Sequence, residues 1–88
     1  MPQVELTAHF KNAYEELPES IKKKVQKAIR LLAEDPRHTS LQTKPIQDAK
    51  GIFEARADRA YRMTYERLPG DVLKMRVVGK CDETLKNP

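Results

Sequence analysis

The chain has 88 residues with 17 Lys or Arg against 13 Asp or Glu, a formal net charge of +4. With 39% hydrophobic and 34% charged residues the composition is that of one small globular domain, residues 1–88, and not of a disordered chain. Its apolar runs are too short for a bilayer span, its N-terminus lacks an apolar signal core, and its single cysteine rules out an internal disulfide. A soluble cytoplasmic protein with no membrane partner is therefore expected.

In chain order, Gln3-Val4-Glu5-Leu6 alternates polar and apolar and predicts a short strand. Thr7 is a helix cap by residue type, and Phe10, Tyr14 and Leu17 follow at i, i+4, i+7 as one apolar stripe that Pro18 ends. Ser20 is the expected cap of a second helix. There Ile21, Val25, Ala28, Ile29 and Leu32 form the stripe, and Pro36 closes it. Its lysines, Lys22–Lys24 and Lys27, read as a solvated face. The short joint between the two helices predicts an antiparallel hairpin.

Residues 37–51 read as a loop carrying Lys44 and Lys50. Three strand-like runs follow, at 52–58, 60–67 and 72–80, separated by turn signals, which predicts an antiparallel meander. One helical turn is expected at the C-terminus, with Asp82 either its cap or an orienter of the preceding side chain.

Strand side chains alternate between faces. Phe53, Ala55, Tyr61, Met63, Tyr65, Leu73, Met75 and Val77 then cover the helices, so Tyr61 and Tyr65 are core and not base-stacking platforms. The other face carries Arg56, Arg62, Lys74, Arg76 and Lys80, with Glu54 and Glu66 among them and Val78 on the same side. An ordinary solvated sheet face looks like this, and so does a surface for a polyanion, since guanidinium forks match phosphate oxygens.

The motifs Asp35-Pro36, Phe53-Glu54-Ala55-Arg56, Ala60-Tyr61-Arg62-Met63-Thr64-Tyr65 and Arg76-Val77-Val78-Gly79-Lys80, in this order and spacing, resemble the RelE/ParE superfamily of bacterial toxins. The resemblance spans nearly the whole chain and is closer to the RelE-like branch. It implies an α+β fold, β-α-α-β-β-β, with the helical hairpin packed on one face of a small antiparallel sheet. It implies a toxin held by a co-encoded antitoxin protein. In the RelE branch the activity is metal-free cleavage of mRNA on the ribosome, with no cofactor; in the ParE branch it is poisoning of DNA gyrase. A non-catalytic member that binds a protein target is the alternative to the nuclease, and an orphan binding module is a third reading.

Carried over by position, the resemblance makes Arg56 the strand arginine of the nuclease site and Lys44 and Lys50 its loop lysines. Cys81 stands where relatives place a histidine after Val78-Gly79. Cleavage by the ribose 2′-hydroxyl needs a base, cations for the phosphorane charge and an acid for the leaving oxygen. Arg56, Arg62 and Arg76 are the candidate cations, with Lys44, Lys50, Lys74 and Lys80 as RNA-binding groups and Cys81 at the proton-transfer position. A thiol beside Asp82 and Glu83 is a poor proton-transfer group at neutral pH. His9 and His38 have no ligand partners nearby in sequence and read as surface residues.

Overall fold

The computed structural model describes residues 2–81 and 84. Strand β1 is Gln3–Leu6, helix α1 is Ala8–Glu15, and helix α2 is Glu19–Glu34. A single 3₁₀ turn at Thr39–Leu41 precedes β2, Lys44–Pro45. Strands β3 (Ile52–Arg56), β4 (Tyr61–Leu68) and β5 (Val72–Lys80) complete an α+β fold. Among the described residues no helix is long and apolar enough to cross a membrane.

Thr7 caps α1 as its residue type predicts: its Oγ1 accepts from the Phe10 N–H at 3.1 Å. The same hydroxyl donates to the Arg76 carbonyl at 3.1 Å, so the cap also fastens α1 to β5. The start of α2 departs from expectation. Pro18, not Ser20, holds the cap position, and the helix begins at Glu19. The proline ring presets φ, here −58°, and the Pro18 carbonyl accepts from the N–H groups of Ile21 and Lys22 at 3.0 and 2.9 Å.

The sheet order is β1-β5-β4-β3-β2, five strands where the sequence predicts four. Strand β2 is two residues long, too short to show a period, and Pro45 is tolerated because it lies on an edge. The sheet is antiparallel except at β1, which pairs parallel to β5 with Val4 opposite Leu73. The helical hairpin and the meander separate these two strands in the chain, so their pairing carries no local signature.

A bulge interrupts β5: Thr64 faces Val77, yet Tyr65 faces Met75, leaving Arg76 as the extra residue. Alternation reverses beyond it. Val78 joins the core and Val77 does not, contrary to the sequence pattern. The core consists of Phe10, Val25, Ala28 and Leu32 from the helices, Leu41 from the 3₁₀ turn, and Ala55, Met63, Tyr65, Leu73, Met75 and Val78 from the sheet. Phe53 and Tyr65 stack at 5.7 Å between ring centroids. The expected C-terminal turn and its Asp82 cap lie outside the described residues. Thr84 is buried, and its hydroxyl donates to the carbonyls of Lys80 and Cys81.

Candidate functional site

The side of the sheet away from the helices is built in rows fixed by strand register. In one row Arg56 lies opposite Arg62, and Arg62 opposite Gly79. In the next, Lys44, Glu54, Thr64 and Val77 lie side by side. In the third, Ile52, Glu66, Lys74 and Glu5 align.

Charge is not uniform over this face. Arg76 Nη1 is 3.2 Å from Glu66 Oε1, and Lys44 Nζ is 3.7 Å from Glu54 Oε1. Lys74 sits in register between Glu66 and Glu5. Those cations are balanced locally. The Arg56–Arg62 row contains no carboxylate. Two guanidinium-bearing residues opposite one another repel, which costs stability unless an anion bridges them. Arg62 is held in place: its Nη1 donates to the carbonyls of Asp58 at 2.9 Å and Tyr61 at 3.3 Å. Arg56 has no side-chain hydrogen bond or ion pair to the described residues. One arm is fixed and one is free, with both on adjacent strands, which is a fit for a phosphate group.

Cys81 is half-buried at the same end of the sheet, its N–H donating to the Ala60 carbonyl at 2.9 Å. Two of the sequence-predicted lysines, Lys80 and Lys50, fall elsewhere. Lys80 lies opposite Tyr61, beyond the bulge, and borders a groove with Ala13, Leu17 and Pro18 on the helix side. The reversal at Arg76 put it there. Lys50 is exposed in the turn before β3, four residues from Arg56 along that strand's direction even at Ile52, or about 13 Å. Of the candidates, the structure brings Arg56, Arg62 and Cys81 together at one end, with Lys44 in the adjacent row and Arg76 and Lys74 further along.

Neither histidine joins them. His38 Nδ1 meets the Ser40 hydroxyl at 2.7 Å and accepts from the Ser40 N–H at 3.2 Å, capping the 3₁₀ turn. His9 is exposed on α1. Two features were not read from the sequence. Glu54 is buried in the outer face, and Lys24 of α2 reaches the turn after β3, with its Nζ 2.7 Å from Asp58 Oδ1. Burial of Glu54 was invisible because it depends on β2. The Lys24–Asp58 pair spans 34 residues and leaves no local pattern.

Comparison with solved structures identifies this arrangement of helical hairpin and sheet. The chain has the RelE-like toxin fold. It is similar to YafQ from E. coli strain BL21(DE3), at TM-score 0.77 and 18% identity over 96% of this chain and 98% of that one. It is similar to a chain of the intact E. coli RelBE toxin–antitoxin complex, at TM-score 0.73 and 14% identity over 92% and 98% of the two chains. A YoeB/ParE toxin from Agrobacterium tumefaciens aligns at TM-score 0.75 and 18% identity over 89% and 96%. No family model matches the chain, and no curated protein matches it.

Proposed function

We propose that this RelE-like chain is the toxin of a toxin–antitoxin pair, a metal-free endoribonuclease that cuts mRNA on the ribosome in the cytoplasm. The observation that carries the reading is the Arg56–Arg62 pair, in register on adjacent strands with no carboxylate in its row. Such a pair gains from a bridging phosphate what it loses by self-repulsion. Similarity to chains solved as the RelBE and DinJ–YafQ toxin–antitoxin complexes supports a cognate antitoxin as the protein partner. In this reading Arg56 and Arg62 hold the scissile phosphate, Arg76 and Lys74 extend the basic track, and Lys44 flanks it. Lys50 and Lys80, set apart from the arginine pair, contact more distant parts of the RNA. Cys81 occupies the proton-transfer position at the same end.

A second reading, a ParE-like or non-catalytic chain that binds a protein target such as DNA gyrase, is favoured by two observations. Glu66 and Glu54 neutralise Arg76 and Lys44 on the outer face, and a thiol stands where an imidazole is expected. Expression in cells followed by primer-extension mapping of mRNA ends separates the two. Ribosome-dependent cuts that disappear on Arg62→Ala support the nuclease. Growth arrest without new mRNA ends, together with inhibited supercoiling by gyrase, supports the alternative.

A further inference from the structure

Among the described residues Glu54 is the buried charged side chain, 6% exposed. A carboxylate taken out of water costs several kcal/mol, of order, unless it is well paired. Its ion-pair partner Lys44 is mostly in solvent, and their 3.7 Å separation is longer than a hydrogen bond. Threonine or valine would fill the same pleat at no such cost, as Thr64 and Val77 do in the same row. Glu54 nonetheless lines open space. It borders an outer-face groove of about 550 Å³ together with Lys44, Gln47 and Asp48.

Glu54 also has a fixed relation to the arginine pair. Arg56 is two residues further along β3 on the same face, a row spacing of roughly 6.6 Å. Arg62 and Glu66 flank it diagonally on β4, with Arg62 on the side toward Arg56. A phosphate held between the two guanidinium groups would lie one row from Glu54, a distance that the backbone of an RNA strand spans.

We propose that Glu54 is the general base of this site, an inference that rests on the nuclease reading. Its carboxylate takes the proton of the ribose 2′-hydroxyl as that oxygen bonds to phosphorus. The bond from phosphorus to the 5′-oxygen breaks, and the leaving oxygen takes a proton from water. The products are a 2′,3′-cyclic phosphate and a 5′-hydroxyl, and Glu54 returns its proton to solvent. Lys44 Nζ lies 3.7 Å from the carboxylate in the same row, and Asp48 in the turn and Glu66 on β4 are the neighbouring acids.

The test compares single-turnover cleavage of mRNA on ribosomes by the wild-type chain, Glu54→Gln and Glu54→Asp, each checked for an unchanged thermal melt. General-base catalysis contributes about 10²- to 10⁴-fold. Glu54→Gln should lose about that factor in kcat with little change in KM, and Glu54→Asp should recover part of it. Any acid limb in the pH profile of the wild-type rate should be lost from the residual Glu54→Gln rate. Cleavage by Glu54→Gln within about threefold of wild type, with the acid limb intact, overturns the assignment of Glu54 alone. No cleavage by the wild-type chain overturns this assignment together with the nuclease reading.

Discussion

Lys24 and Asp58 join the second helix to the turn between β3 and β4, with Nζ 2.7 Å from Oδ1. Asp58 also receives the Ala60 N–H, and its carbonyl receives Arg62. The pair thus steadies the turn on which the fixed arginine of the outer face is anchored. The Lys24 hydrogen bond is the main influence holding the Asp58 carboxyl below its ordinary range, against a smaller opposing effect of burial. A depressed folded-state pKa contributes stability that is present above the unfolded value, about 3.9, and is lost as pH falls through the folded value. Asp58→Asn should therefore be less stable than wild type near neutral pH, and the gap should close in acid. Urea unfolding of both chains across that range measures it, and a gap independent of pH would refute the linkage.

The bulge at Arg76 makes opposite predictions for two neighbouring valines. Val78 is in the core and Val77 is on the outer face. Val78→Thr should cost about 1–3 kcal/mol, because a hydroxyl replaces a methyl where no partner waits. Val77→Thr should change stability by less than about 0.5 kcal/mol. Denaturant melts of the two variants suffice. Equal losses would mean that alternation continues unbroken through β5.

That reversal also marks where reading the sequence stops working. Both helical stripes, the Thr7 cap and the three strands of the meander follow from periods of 3.6 and 2 within a single segment, and they are legible. So is the Arg56–Arg62 juxtaposition, once the short turn between their strands is seen. An extra residue in β5 has no residue type that announces it, so simple alternation puts Val78 and Lys80 on the wrong face. Strand β2 shows no period in two residues, and the burial of Glu54 beside it was hidden for the same reason. The parallel pairing of Val4 with Leu73 is set by packing of the hairpin across the sheet, not by anything near either residue.

Tyr65 is buried, and its hydroxyl has no hydrogen-bond partner among the described residues. Burial pushes the phenol up, with the Arg67 charge offsetting part of the effect. An unsatisfied hydroxyl costs about 1–3 kcal/mol. Tyr65→Phe keeps the stack on Phe53 and removes that cost, so it should be neutral or stabilising by about 1 kcal/mol. A clear loss of stability in a denaturant melt would show that the hydroxyl is paired in solution.

Arg56 and Cys81 give the sharpest functional prediction. Removing one charge-assisted contact in the transition state costs about 2–4 kcal/mol, or roughly 30- to 1000-fold in rate. Cys81→His should raise ribosome-dependent mRNA cleavage, since an imidazole is the better proton-transfer group near neutral pH. Cys81→Ala should change it little. Arg56→Ala in the Cys81→His background should remove the gain. Primer-extension mapping with matched protein concentrations reads all four chains, and undetectable cleavage by Cys81→His would dismiss the proton-transfer role of this position.

The parallel pairing of β1 with β5 has a consequence for synthesis. A chain made from its N-terminus produces Val4 well before its sheet partner Leu73. The strand that joins β1 to the rest of the sheet is therefore made after the other four described strands, and β1 cannot join the sheet before it. Contacts this distant in sequence form slowly, and they leave strand edges unpaired in the meantime. Any product cut short before β5 lacks Arg76, the wall behind α1 and the anchor for the Thr7 cap at once. Pairing of β1 and the bulged end of the outer face therefore both wait on β5.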